Sequence, residues 1–176
     1  EAKKISIARA NHRVEYLADF QLIAAMNPCP CGYVGDSCGR CSCTAEQIQR
    51  YRARVSGPLL DRIDLQVEVP RVALAELRHN DTGRESSVTV RARVITARAR
   101  QLQRAGKSNA LLSNREVERD CTLNDKDHAL LERAVDKFGL SARAYHRILR
   151  VARTSADLAG EAHIGTAHVT EAIYYR

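Results

Sequence analysis

Five cysteines, Cys29, Cys31, Cys38, Cys41 and Cys43, crowd into the stretch NPCPCGYVGDSCGRCSC that runs from Asn27 to Cys43. Thiols this close can pair as disulfides, attack a substrate or hold a metal. Neighbouring C-x-C cysteines do not readily bridge within themselves, and the opening residues EAKKISIARA have neither the apolar centre nor the small-residue cleavage pattern of a secretory signal. A nucleophilic thiol needs a base beside it, and Cys43 has no sequence partner such as a positioned histidine. Metal binding fits better. Pro30, Gly32, Gly35 and Gly39 let the backbone turn sharply, and a structural zinc ion takes four thiolates at about 2.3 Å. Five candidates compete for four positions: Cys38 and Cys41 make a C-x2-C chelate, while Cys29/Cys31 and Cys41/Cys43 offer two matching C-x-C arms. A structural zinc contributes about 10 to 16 kcal/mol of apparent binding energy, enough to fold a loop that has no core of its own. The sixth cysteine, Cys121, stands alone and reads as a small buried hydrophobe.

The elements that must position this stretch are of two kinds. Before it, KISIA (Lys4 to Ala8) and HRVEYL (His12 to Leu17) alternate in polarity and predict a hairpin, and FQLIAAMN (Phe20 to Asn27) is a continuous apolar run that suits a strand buried on both faces. After it, Thr44 is a suitable N-cap for a helix over AEQIQRYRARV, closed by Gly57 and Pro58, and IDLQVEV (Ile63 to Val69) reads as another strand. The polar segment RHNDTGRESS, Arg78 to Ser87, marks a domain boundary, placing an α/β part at 1–77 and an all-helical part at 78–176. The helices are expected over Ser87 to Arg104, Ser113 to Arg119, Asn124 to Phe138, Ser141 to Ala159 and Thr166 to Tyr175. Leu130, Leu131, Ala134, Val135 and Phe138 form one 3.6-residue stripe, with Gly139 as C-cap; Tyr145, Leu149, Ala152 and Ala156 form another.

At 176 residues and 44% hydrophobic content the chain can build a core. Its net charge of +7, carried largely by arginine, makes nucleic acid or nucleotide the first partner to consider, with solvated arginine-rich helices as the alternative. Aromatic residues are too scarce for the usual stacking platforms. No apolar run approaches the roughly 20 residues of a membrane helix, so a cytoplasmic protein with no membrane partner is expected.

Several phrases then fall in one order: ISIARANHRVEY, AAMNPC with NPCPCGY, C-x-C-T, RYRARVSGPLLDRIDL and LSARAYHRILRVARTSADLAG. Together they resemble the C-terminal part of the magnesium-chelatase-like AAA+ ATPases of the competence protein ComM family, a branch that also holds the chelatase I subunits and the MCM helicases. The resemblance covers nearly the whole chain and is most specific in its first half. It implies a portion of an AAA+ α/β core carrying a zinc loop, followed by a helical lid. Asn27 matches the sensor 1 position, where an asparagine at a strand tip orients the water that attacks the γ-phosphate; without that context it reads as a strand-end cap. Arg62 in LLDRIDL matches the arginine finger, which neutralises charge developing at a neighbouring subunit's phosphate. Arg143 matches the sensor 2 arginine, which meets nucleotide from the lid. Arg147 and Arg150 follow on the same face and read either as an extended phosphate-facing stripe or as a solvated helix face. ISIARANHRVEY resembles the pre-sensor 1 hairpin, so Lys3, Lys4, Arg9 and Arg13 would make salt-sensitive DNA phosphate contacts. Cys29, Cys31, Cys41 and Cys43 match the paired metal-binding arms, leaving Cys38 as the extra candidate.

An ATPase of this class also needs a phosphate-cradling G-x-x-x-x-G-K-[ST] loop and an acidic strand end for magnesium. AGKSNA holds Gly106, Lys107 and Ser108, but Gln101 stands where the first glycine belongs and a helix precedes it. The chain is therefore expected to start after those motifs and to be inactive alone. ATP and magnesium would belong to the intact parent, a ring-forming and hexameric DNA-dependent ATPase acting in branch migration during natural transformation or recombination. Two rivals are a metal-chelatase motor subunit that binds no DNA, and a non-enzymatic zinc-containing DNA-binding module.

Overall fold

The computed structural model describes residues 3–9, 12–36, 39–70, 72 and 85–176. Two compact units emerge, Glu1–Arg54 and Val55–Arg176. The boundary expected at residues 77/78 lies outside the described residues.

In the first unit, β1 (Lys4–Arg9) pairs antiparallel with β2 (His12–Leu17), in a register from Lys4 opposite Leu17 to Arg9 opposite His12. Opposed residues share a face, so Ile5, Ile7, Val14 and Tyr16 line one side of the hairpin. The apolar run Phe20 to Asn27 departs from expectation. It forms no strand, and Phe20 and Ile23 are 72% and 84% exposed. A strand buried on both faces needs neighbours at its edges and layers above and below it. Among the described residues β1 and β2 make the only sheet, so this run has nothing to pair with.

After the cysteine loop, α1 (Ala45–Arg52) starts as expected. Thr44 accepts the Gln47 N–H at 3.3 Å and its own N–H donates to the Gln47 side chain at 2.9 Å, a reciprocal capping box. The helix stops short of Val55. Gly57 and Pro58 open a separate short helix, α2 (Gly57–Leu60), instead of closing α1, because a proline in the first turn sacrifices no helical hydrogen bond.

The second unit contains α2, the segment that follows it, and the helical array. That array consists of α3 (Ser87–Ala105), a 3-10 turn at Asn109–Leu111, α4 (Asn114–Asp120), α5 (Asp125–Phe138), α6 (Ala142–Ala159) and α7 (Thr166–Tyr174). The starts of α3 to α6 are chemically specified. Ser86, Ser113, Asn124 and Ser141 each accept a hydrogen bond from the backbone N–H three residues on. Gly139 closes α5 at φ 59, where a side chain would be strained. The central element is α6, which packs against α7, α3 and α4 and buries Ile148, Leu149, Ala152 and Ala156 against Val117, Leu131 and Val169. Cys121 is buried in this core as expected, and burial above all pushes its thiol up to about 11, a state in which it stays protonated and inert.

The segment Ile63 to Val69 is not the expected strand either. Val67 and Val69 are exposed and the Gln66 N–H donates to the Tyr175 carbonyl at 2.8 Å, so the segment is tied to the end of α7 rather than to a sheet.

Several arginines of the second unit turn inward. Asp157, 1% exposed, accepts two hydrogen bonds of 2.7 Å from Arg104 and one of 2.8 Å from the Asn109 side chain, with Arg153 3.1 Å away. Burial alone would raise the Asp157 carboxyl, but the bonds from Arg104 and Asn109 outweigh it and hold the group below the usual carboxylate range. Arg153, itself buried, also donates to the Glu161 and Ala162 carbonyls.

Candidate functional site

The thiols of Cys29, Cys31, Cys41 and Cys43 converge, with all four sulfur atoms within 4.8 Å of one another. The Cys29–Cys31, Cys29–Cys41 and Cys31–Cys41 separations are 3.3, 3.9 and 3.6 Å. Four sulfurs placed tetrahedrally about 2.3 Å from one ion stand about 3.8 Å apart. The spacing is thus that of a metal cage, and all four thiols are free rather than bridged. The C-x2-C alternative needs Cys38, which lies outside the described residues.

Local sequence builds this cage. Pro30 occupies the second position of a turn closed by the Gly32 N–H donating to the Cys29 carbonyl at 3.0 Å, which folds Cys31 back toward Cys29. The Val34 N–H donates to the Cys29 sulfur at 3.4 Å, and the Arg40 guanidinium lies 5.2 Å from the centre of the Tyr33 ring, joining the two arms of the loop. Cys43 immediately precedes the capped start of α1, and Arg52 at the end of that helix donates to the Pro28 carbonyl at 3.2 Å. Cys29 is fully buried and the other three are half-buried.

The electrostatics show what the cluster lacks on its own. Backbone donation at Tyr33, followed by bonds from neighbouring thiols, brings Cys31 down to about 6. At Cys43 a backbone hydrogen bond involving Cys31 lowers the value, but the Cys31 side chain, burial and Cys29 prevail and push it up to about 12. One thiolate therefore suppresses the next. A divalent cation removes that conflict by compensating all the negative charge at once. The donor set could hold a metal ion such as zinc.

The other expected site residues are distributed over both units. Asn27 is exposed, with its amide 3.7 Å from where a Cβ on Gly32 would lie, so it rests against the first turn of the cysteine loop. Arg62 and Arg143 belong to the second unit; both are exposed, and neither side chain makes a hydrogen bond or ion pair among the described residues. The stripe expected from Arg143 through Arg150 breaks up. Arg147 is 7% exposed, donates to the Arg62 carbonyl at 3.0 Å and pairs with Asp64; Arg150 donates to the Leu112 carbonyl at 2.8 Å. Arg147 is buried and Arg150 half-buried, and each satisfies carbonyls that the fold brings to it. Asp64 and Arg176 are the residues that spacing along the sequence did not single out: their partners are 83 and 113 residues away.

On the hairpin, Lys3 pairs with Asp19 at 2.8 Å, Lys4 with Glu15 at 3.6 Å, and Arg13 with Ser6 at 3.1 Å and Glu15 at 3.8 Å. Arg9 is exposed and unpaired among the described residues. Exposed pairs of this kind are worth at most about 1 kcal/mol, so a phosphate can displace them. No helix among the described residues is long and apolar enough to cross a membrane.

Residues 1–77 match the family model of magnesium chelatase, subunit ChlI, and residues 84–176 match the model of the C-terminal part of the same subunit. All of the chain aligns with competence protein ComM of Haemophilus influenzae at 50% identity over 176 residues, covering 34% of that protein. It is 44% identical to the protein YifB of Salmonella typhimurium, again covering 34% of it, and 37% identical over 180 residues to the protein Rv2897c of Mycobacterium tuberculosis, covering 35%. The chain thus spans about a third of the length of the curated relatives it matches.

Proposed function

The chain belongs to the magnesium chelatase subunit ChlI family, and from that membership we propose that it is the sensing and subunit-bridging part of a ring-forming, DNA-dependent AAA+ ATPase. Asn27 orients the water that attacks the γ-phosphate, Arg62 reaches the phosphate held by a neighbouring subunit, and Arg143 contacts nucleotide from the lid. Zinc bound by Cys29, Cys31, Cys41 and Cys43 folds the loop that begins two residues after Asn27. Lys3, Lys4, Arg9 and Arg13 meet DNA phosphates in a hexameric ring working in the cytoplasm. The intact protein supplies the phosphate-cradling loop and magnesium site, and drives branch migration of DNA during transformation or recombination. Its remaining length also covers the exposed apolar runs at 20–27 and 63–69.

The observation that carries this reading is that the arginines at the finger and sensor 2 positions are open, as Arg91 and Arg115 are, among the described residues. Arg104, Arg147, Arg150 and Arg153 all bond within the unit, whereas the two that match the finger and sensor 2 positions, Arg62 and Arg143, are left open. A guanidinium held ready for a phosphate from outside its own unit has this appearance.

The test is ATP hydrolysis by the intact protein with single-stranded, duplex and branched DNA. DNA is expected to stimulate turnover, with a steep loss in salt, and Arg62→Ala to reduce it by about 10³- to 10⁵-fold. Turnover indifferent to all three DNAs, without salt-sensitive DNA retention, would instead identify a motor of the metal-chelatase type.

A further inference from the structure

The peptide that carries Arg62 is gripped from both sides by arginines of the helical unit. On one side, Arg147 of α6 donates through Nη1 to the Arg62 carbonyl at 3.0 Å and to the Asp64 carboxylate. On the other, Arg176, two residues beyond α7, donates through Nη1 to the Ile63 carbonyl at 2.7 Å and sets its Nη2 3.8 Å from an Asp61 oxygen. The side chains of Arg147 and Arg176 are only 9% and 5% exposed, while that of Arg62 is open. The sequence DRID therefore places a carboxylate on each side of Arg62, and each carboxylate faces a different buried guanidinium.

Ion pairing alone would hold the segment near the helices without fixing its rotation. Bonds to the carbonyls of Arg62 and Ile63 do more, because they orient the two consecutive peptide groups that follow the Arg62 Cα. The direction in which the Arg62 side chain leaves the surface is thereby set, although its tip is free. Arg143 lies one turn before Arg147 on α6, at the i, i+4 spacing that puts two residues on one helix face.

We propose that Arg147 and Arg176 are positioning residues that lock the arginine finger to the lid of its own subunit. The proposal rests on the reading of Arg62 as a finger given above. The contact that Arg143 makes with nucleotide and the contact that Arg62 makes with the neighbouring subunit's phosphate are then carried by one rigid piece. A shift of the lid at one ATP site moves the finger at the next.

The test uses the intact protein and the variants Asp64→Asn, Arg147→Lys and Arg62→Ala, singly and with each clamp variant combined with Arg62→Ala. Asp64 is 58% exposed at its side chain, so Asp64→Asn breaks the ion pair without emptying the core, and lysine at 147 keeps the charge but lacks the planar guanidinium whose Nη1 holds its two N–H groups in a fixed direction toward both acceptors. Both clamp variants should keep the melting temperature and oligomer size, leave KM for ATP unchanged and lower kcat by about tenfold to a hundredfold, the loss expected from misplacing a catalytic group by about 1 Å. In combination with Arg62→Ala neither should lower kcat further, since a finger that is absent cannot be misplaced. If Arg62→Ala itself leaves turnover unchanged, the finger reading falls and the clamp falls with it. If Arg62→Ala abolishes turnover while the folded clamp variants keep wild-type kcat, or lose it additively with Arg62→Ala, the finger stands and the clamp is wrong.

Discussion

The ligand set of the metal cage admits a quantitative test by replacing each clustered cysteine with serine in turn. The separations of 3.3, 3.6 and 3.9 Å among Cys29, Cys31 and Cys41 lie within about 0.5 Å of the tetrahedral spacing of about 3.8 Å, and Cys43 is within 4.8 Å of all three, so the loop closes on zinc by movements of about 1 Å or less. If about 10 to 16 kcal/mol of binding energy is divided over four thiolates, each supplies about 2.5 to 4 kcal/mol. Losing one should therefore weaken zinc by about two to three powers of ten. The assay is competition with a chelator of known affinity, read alongside zinc content per chain after mild, chelator-free purification. Wild type should carry one equivalent. Cys29→Ser, Cys31→Ser, Cys41→Ser and Cys43→Ser should each lose affinity by that factor, with the fully buried Cys29 costing most because its sulfur also accepts the Val34 N–H. Cys38→Ser should bind as wild type does. Loss of zinc in Cys38→Ser with retention in Cys43→Ser would refute the paired-arm assignment, and zinc-free wild-type protein with four reactive thiols would refute the cage altogether.

Three further outcomes follow from the helical unit and the loop's neighbour. Asp157→Ala leaves Arg104 and Arg153 without their carboxylate in a buried site, a loss of about 3 to 5 kcal/mol, and should lower the thermal midpoint by roughly 10 °C; an unchanged midpoint would show that the network contributes no stability. Glu116, bonded first by Lys107 and then by the Ser113 N–H, is lowered to about 2, and Asp157 is also depressed, so their stabilisation is complete above the ordinary carboxylate range and is lost as pH falls through the folded values. Helical circular dichroism should accordingly show a midpoint that drops between about pH 4.5 and pH 2, and a flat profile there would contradict the assignment. Thr44→Ala removes half of the capping box on α1 and should cost about 1 kcal/mol and fray the helix that follows Cys43; equal hydrogen-exchange protection at Gln47 and Ile48 in both proteins would count against it.

What could be read from the sequence divides along physical lines. The helix starts were legible because their causes are local: Ser86, Ser113, Asn124 and Ser141 satisfy N–H groups three residues away, and Gly139 ends α5 by its own backbone freedom. The pairing of β1 with β2 and the Cys29/Cys31 arm are local in the same sense, the arm being closed by the turn from Cys29 to Gly32. The runs Phe20 to Asn27 and Ile63 to Val69 carry the composition of strands, but a strand is a relation between segments. Hydrophobicity records that a run is to be covered and says nothing of what covers it. Among the described residues, Phe20 to Asn27 stays exposed and Ile63 to Val69 is held through Ile63, Asp64 and Gln66.

The arginines show the same limit in its electrostatic form. A guanidinium on a helix has the same sequence signature whether it faces water, phosphate or a carbonyl from a distant segment. Arg147 was ambiguous between the first two and belongs to the third, because Asp64 and the Arg62 carbonyl reach it across more than eighty residues of chain. Net charge therefore overstates the cationic surface open to a phosphate: the guanidiniums of Arg104, Arg147, Arg150, Arg153 and Arg176 are held by acceptors inside the helical unit. Those left open among the described residues include Arg9, Arg62, Arg91, Arg115 and Arg143. Because two of them, Arg62 and Arg143, stand on the same clamped framework, their effects on ATP turnover should be coupled in one measurement rather than summed from two.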